Sequence, residues 1–333
     1  MVDRRASGEL VVELVSVLGA GPWSLDSVRR AGWSPARIRA AVKAGRLVRP
    51  RRGVLAVPYA EATQFGLASE AAIRAAVLVC SPAAVVSHES AAVLHDVWTP
   101  SPPSPWVHLT TSGRPDRRYR GVRCHESRLP TAAVVEIDGL RVTSLPRTGI
   151  DLARGRRLPE ALVALDGVAR ATLHRHMSCD LESLRDPRVR SAARARVVES
   201  LLEAYQTVWS WPGSVVVRDA LHLIDPASES PLESRSRGWM SEAGLPRPEI
   251  AYAVQGRSGR WYYADFAWPA QRVLGEADGL GKYGGDSATV TRRLREERAR
   301  QRDLEDAGWT VVRWDGSEGA RVVIARLRAA LAR

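Results

Sequence analysis

At 333 residues the chain has room for two or three domains of about 100–150 residues each, and its 45% hydrophobic content permits sizeable cores. A net charge of +12, with a pI near 10.5, favours a polyanionic partner, nucleic acid first. Cys80, Cys124 and Cys179 are scattered without CxxC spacing, which argues against a disulfide framework or a cysteine zinc site; no stretch reaches the ~18–20 apolar residues of a membrane span, so a soluble cytoplasmic protein is expected.

Leu10, Val11, Leu14, Val15 and Leu18 recur as one face of a helix over residues 8–19, and Gly19 to Pro22 stops it. Ser24 caps a short second helix, "LDSVRRAG". Ser34 caps a third, "PARIRAAVKAG", with Pro35 at the favoured first position and Gly45 just past the end. "RLVRPRRGVLAVP" then reads as two short strands about a basic turn, and three helices with a hairpin describe a winged helix-turn-helix. Residues 1–60 hold eleven basic groups against four acids, a net of +7. Arg37, Arg39 and Lys43 fall on the third helix, the one such folds lay in the major groove, while Arg49, Arg51 and Arg52 fall on the wing, within reach of phosphates or the minor groove. DNA binding is the expectation for this face, against the alternative of a merely solvated basic surface.

Further along, "SHESAAVLH" (87–95) reads as a Ser-capped helix, "WVHLTT" and "GVRCHESRL" alternate as strands, and "TSLPRTGIDLAR" with "LPEALVALDGVAR" returns to helix. His88 and His95 stand seven apart on one helical face, and His108 and His125 fall in strands. A metal or catalytic histidine cluster is one reading; the favoured one is histidines hydrogen-bonded in or at the edge of a mixed α/β core. "HRHMSC" (174–179) lacks a second ligand pair at zinc-like spacing and reads as a loop. Residues 180–226 are Arg-rich and mostly helical.

The run "IRAAVKAGRLVRPRRGVLAV", "VSHESAAVLH" and "GLRVTSLPRTGIDLA" resembles the AbiEi-type antitoxin and abortive-infection proteins of bacteria over roughly residues 8–175. That resemblance implies a DNA-binding regulator, in some members paired with a nucleotidyltransferase toxin.

"WYYADFAWPAQRVLGEADGLGKYGG" (261–285) gathers Asp265, Glu276, Asp278 and Lys282. A P-loop is excluded, because the glycine spacing of "GEADGLGK" is one residue too long and Tyr283 stands where Ser or Thr is needed. If Trp268 and Val273 close a four-residue hairpin loop, Asp265 lies directly across from Glu276, and Asp278 points to the same face. Carboxylates that close repel unless a positive group lies between them, and a hard divalent cation such as Mg²⁺ or Mn²⁺ resolves the conflict. Lys282, just beyond, could orient water or stabilise charge on a scissile phosphate. The alternative is a charged hairpin end touching the Arg-rich helix of residues 287–307.

This hairpin, followed by the helix "SATVTRRLREERARQRDLEDAG" and the strand "WTVVRW", resembles the very-short-patch-repair (Vsr)-like branch of PD-(D/E)XK nucleases over about 228–333. The resemblance implies that Asp265, Glu276 and Asp278 are metal ligands and that an acid on the preceding helix, Glu233, assists. Glu233 also closes a capping box with Ser230. Asp278 occupies the position where the general pattern has lysine, and the histidine expected soon after the acidic strand is absent.

The expected protein is thus α+β and multidomain: a winged helix-turn-helix over 1–60, a mixed α/β domain over 61–178, a helical connector over 179–226, and a restriction-endonuclease-like domain over 227–333. Two functions compete. One is a metal-dependent endonuclease hydrolysing DNA phosphodiesters; the other is a non-enzymatic regulator or antitoxin of an AbiE-like, type IV toxin–antitoxin system with a degenerate nuclease fold and a cognate toxin as partner.

Overall fold

The computed structural model describes residues 5–58, 69–81, 83–102, 104–113, 115–176, 179–278 and 287–332. Contacts divide the chain into two units, Met1–Asp96 with Ser101–Ser144, and Val97–Pro100 with Leu145–Arg333. It is a mixed α/β chain, and among the described residues no helix is long and apolar enough to cross a membrane.

The first unit begins with α1 (Arg5–Leu18), β1 (Trp23–Ser24), α2 (Leu25–Arg30), α3 (Pro35–Lys43), β2 (Val48–Arg51) and β3 (Val54–Ala56). Both caps act as the sequence suggests: Ser24 accepts from the Ser27 amide at 3.0 Å and Ser34 from the Arg37 amide at 3.2 Å. Leu14, Val28, Trp33, Ile38, Leu47 and Leu55 form the buried core. The strands make a small sheet in the order β1-β3-β2, so Trp23–Ser24 adds a strand that the sequence pattern did not suggest. Two residues carry too little alternation to register as a strand.

The rest of this unit is α4 (Glu70–Cys80), β4 (Val85–Val86), α5 (His88–Leu94), β5 (Val107–Thr111), β6 (Arg117–Tyr119), β7 (Val122–Glu126), β8 (Val134–Ile137) and β9 (Leu140–Thr143). Its six-stranded sheet runs β6-β7-β5-β4-β9-β8, with β5/β7 and β4/β9 parallel and the other pairs antiparallel. Ile73, Val86, Leu109, Val122 and Val142 are buried in its core. Ser87 occupies the N-cap position of α5 without making the cap bond; its hydroxyl instead accepts from Thr110 Oγ1 at 2.9 Å.

The second unit opens with α6 (Leu145–Ala153), α7 (Leu158–His176), α8 (Pro187–Gln206), α9 (Val215–Leu223) and α10 (Pro231–Glu242). His174, Arg175 and His176 continue α7, a correction to the loop expected there; from Val168 onward no proline or glycine breaks the helix before them. α6 and α10 both press on α7. A Cβ at Gly238 would lie 2.4 Å from the Pro159 Cα, so that position requires glycine, and one at Gly149 would meet the Val168 side chain closely, at 3.0 Å. Arg237 on α10 pairs with the fully buried Asp166 on α7, whose other oxygen accepts from the Asp225 amide at 3.0 Å.

β10 (Glu249–Gln255), β11 (Trp261–Trp268), β12 (Val273–Asp278) and β13 (Thr310–Asp315) form a sheet in that order, with α11 (Ser287–Asp306) between β12 and β13 and α12 (Ala320–Leu331) at the end. β10–β11–β12 are antiparallel and β12–β13 parallel, the crossover being made by α11. Gly275 lets Trp314 cross β12: a Cβ there would stand 2.9 Å from the Trp314 ring, which stacks on Phe266 and donates to Ser236 on α10 at 2.8 Å.

Candidate functional site

The hairpin closes as its sequence suggests. Trp268 pairs with Val273 across Pro269–Gln271 and Arg272, which takes the left-handed conformation at φ 52°. The register continues Phe266↔Gly275, and extending it by one pair sets Asp265 across from Glu276. Asp265 Oδ2 accepts from the Ala277 amide at 2.7 Å, which ties the acid to the strand it faces.

Glu233 arrives from the first turn of α10. Three bonds close its capping turn: Glu233 N donates to Ser230 Oγ at 3.2 Å, Ser230 Oγ donates to Glu233 Oε1 at 2.7 Å, and the amide of Glu229, one residue before the cap, donates to Oε2 at 2.7 Å. The same carboxyl lies close enough to Asp265 for its charge to be felt. Burial first, and then Asp265, raise the Glu233 pKa to about 8. The capping residue thus lies beside the acidic hairpin.

Glu276 is 5% exposed. Burial and Asp265 raise its pKa to about 7 against the pull of Arg300 and Arg313. Arg300 Nη2 on α11 donates to Glu276 Oε1 at 2.8 Å and to the Tyr263 carbonyl at 2.5 Å. Asp278 accepts from Arg313 Nη1 at 3.3 Å, and Arg313 sits on β13 opposite Glu276. The position of Arg300 follows from how α11 is anchored. One turn on, Asp303 accepts from the Ser258 amide, the Ser258 hydroxyl and the Tyr262 hydroxyl at 2.7, 2.7 and 2.9 Å, while Leu304 is buried in the sheet core.

Asp265, Glu276, Asp278 and Glu233 therefore converge on one end of the hairpin, and two of them are already met by arginines. Arg300 belongs to the Arg-rich helix singled out in the sequence. Arg313 was not, although the alternation of "TVVRW" sets it on the same face as Val311, away from buried Val312 and Trp314. Lys282 lies outside the described residues. The carboxylates also stand apart: among the described residues, the one group of three potential ligands whose donor atoms all lie within 4.8 Å is His88, His108 and His125.

The basic residues of the first unit divide into two sets. Arg39, Lys43, Arg49 and Arg52 are exposed. Arg37 instead stacks over Trp33, 4.1 Å from the ring centroid, and pairs with Glu13 on α1 at 2.5 Å. Arg51 donates to the carbonyls of Arg120 and Gly121 at 2.6 and 3.4 Å. Both thus have partners within the unit. Arg49, Arg51 and Arg52 line a cleft of about 1080 Å³ together with Tyr119 and two further cations, Arg117 and Arg120, that the sequence alone did not single out.

No known family profile matches the chain. Two relatives, the uncharacterized proteins MT2308 and Rv2248 of Mycobacterium tuberculosis, are each 27% identical over 206 residues, covering 62% of this chain and 65% of each relative. The chain thus spans just under two thirds of the length of the curated relatives it matches. Among solved structures it is similar to the RV2827C protein of Mycobacterium tuberculosis, with a TM-score of 0.36 and 15% identity over 66% of this chain and 82% of that one.

Proposed function

We propose that the four-stranded domain is a PD-(D/E)XK-type, metal-dependent DNA phosphodiesterase module, served by an N-terminal winged helix that grips the duplex. The observation that carries this reading is the convergence of Glu233, Asp265, Glu276 and Asp278 from three elements, with burial and mutual repulsion holding Glu233 and Glu276 far above the usual carboxylate range. An all-carboxylate donor set fits a hard cation such as Mg²⁺ or Mn²⁺, with Asp265 and Glu276 as the residues to hold it and Asp278 beside them. When bound, such an ion supplies Lewis-acid polarisation of a phosphoryl oxygen and acidifies a water. The chain's own part is positional and electrostatic. Arg300 and Arg313, already at the carboxylates, offer cationic donors for charge developing on a phosphate. Glu233 keeps its α10 turn registered against Asp265 through the Ser230 and Glu229 bonds. Arg39, Lys43, Arg49 and Arg52 supply phosphate contacts on the winged-helix side.

A supercoiled-plasmid assay with Mg²⁺ or Mn²⁺ tests the reading directly. Nicking that is lost in Asp265→Asn and in chelator supports it, and an inert wild-type protein across both metals removes the enzymatic claim. A second reading has a specific observation in its favour. The 2.8 Å Arg300–Glu276 pair and the 3.3 Å Arg313–Asp278 pair satisfy two acids without metal, as a DNA-gripping regulator or antitoxin with a degenerate nuclease fold would require. Sequence-specific retardation of a DNA fragment without cleavage, or capture of a cognate toxin, is its signature.

A further inference from the structure

His88, His108 and His125 come from three separate elements of the first unit. β5 and β7 are parallel neighbours with Thr110 opposite His125 and His108 opposite Arg123, so both histidines point to one face of the sheet. β4 pairs with the other side of β5, and the chain leaves it through Ser87, whose amide donates to the His108 carbonyl at 3.1 Å. His88 follows at φ 51°, a left-handed conformation that a non-glycine residue adopts at a cost. Its ring lies flat on His125, with centroids 3.8 Å apart.

The donor atoms are close. His108 Nδ1 is 3.0 Å from His125 Nε2 and 3.5 Å from Glu89 Oε2, and the three histidines each bring one nitrogen within 4.8 Å of the others. Two nitrogens bound at about 2.0–2.1 Å to a tetrahedral zinc stand about 3.3–3.4 Å apart, near the separation already present between His108 and His125. The surroundings resemble an outer shell. His108 Nε2 meets Ser104 Oγ at 3.1 Å, which leaves Nδ1 as the inward-facing nitrogen, and the His108 amide donates to the buried Ser90 hydroxyl at 2.9 Å. Ser87 Oγ lies 3.0 Å from His88 Nδ1, so that ring's other nitrogen is the one to turn toward the pair.

We propose that His88, His108 and His125 form a zinc site with Glu89 as the fourth donor. Imidazole nitrogens with a single carboxylate suit Zn²⁺ rather than the harder cation expected of the acidic cluster, and four protein ligands make a closed, structural centre. Binding turns the His88 ring off its stack on His125 and ties the start of α5 to β5 and β7.

The test uses the full chain carrying Asp265→Asn, so that the acidic cluster does not contribute, stripped with a chelator and titrated with Zn²⁺ against a chromophoric competitor. One Zn²⁺ per chain is expected, and Co²⁺ in its place should give the intense visible absorption of a tetrahedral site. Ser104→Ala, which removes the outer partner of His108 together with the acceptor of the Trp106 amide, should weaken Zn²⁺ about 10–100-fold, and His125→Gln and His88→Gln should weaken it more. His95→Ala should leave the affinity unchanged, since His95 meets the Thr143 carbonyl at 2.7 Å instead of joining the trio. Circular dichroism selects the variants that fold, and His88→Gln and His125→Gln, at half-buried positions, are the pair chosen to do so. Absence of stoichiometric Zn²⁺ in the parent protein overturns the site, as does affinity that persists in both of these variants.

Discussion

The acidic end of the β11–β12 hairpin and the histidine trio of the first unit solve opposite problems. Carboxylates at one spot repel, so each of the acids is met by a donor brought from elsewhere: Arg300 for Glu276, Arg313 for Asp278, the Ala277 amide for Asp265 and Ser230 for Glu233. Imidazoles bring no fixed negative charge, and the histidines lie against one another, with His108 and His125 bonded ring to ring. A cluster of carboxylates therefore announces itself through the counter-charges around it, whereas the cluster of imidazoles shows itself only as proximity.

The largest expected effect separates the two regions by stability. Asp166→Ala strands Arg237 on α10, the helix that carries Glu233, and should destabilise the second unit by about 3–5 kcal/mol. Chemical denaturation read by tryptophan fluorescence measures it, and Zn²⁺ binding at the histidines should survive in the variant. Equal loss at both sites would show that the clusters are not independent.

The acids should also impose a pH dependence on stability. The Glu233 pKa rises from 4.5 to about 8 on folding, so between these values the folded state holds a proton that the unfolded state has released. Its contribution is complete below about pH 4.5 and is lost as pH rises toward 8, an effect of order a few kcal/mol in metal-free protein. Denaturation midpoints taken from pH 5 to pH 8 in chelator should fall, and Glu233→Gln should flatten the trend. A wild-type profile as flat as that of the variant would contradict the environment described for Glu233.

A smaller effect follows from mass action. Mn²⁺ in excess over its dissociation constant should raise the melting temperature, by about 2.7 kcal/mol of stabilisation at a hundredfold excess, and Asp265→Asn should abolish the increase. If Arg300 and Arg313 satisfy the acids fully, Mn²⁺ will change nothing.

The smallest effect per residue concerns the basic surface. Replacing Arg39, Lys43, Arg49 and Arg52 by Ala should weaken DNA binding and reduce the salt slope by roughly one unit for each phosphate that is no longer neutralised. Arg37→Ala should matter less for DNA and more for the packing of α1 against α3, because its guanidinium is held by Glu13 and Trp33. Anisotropy titrations at several salt concentrations read both.

The acidic hairpin was legible because its residues are neighbours in the chain. Period-two alternation in "WYYADFAW", a proline at the turn and acids at matching distances from it suffice to put Asp265 opposite Glu276. The caps of α2, α3 and α10 were legible for the same reason, each being set by residues at most three apart. Arg313 escaped because its meeting with Asp278 depends on a parallel pairing across the whole of α11. Arg37 and Arg51 were read as surface charges because nothing local shows that Glu13, or the Arg120 carbonyl far along the chain, takes them up.

From sequence alone came the N-terminal helices, the caps of α2, α3 and α10, the hairpin register and the excess of positive charge, all governed by local propensity and by the alternation or periodicity of side chains. Tertiary structure decided the rest. The strand order β6-β7-β5-β4-β9-β8 unites His88, His108 and His125, and the α11 crossover delivers Arg300 and Arg313 to the acids. The physical reason is that pairing between distant segments depends on which buried faces pack together, and that choice carries no fixed spacing along the chain.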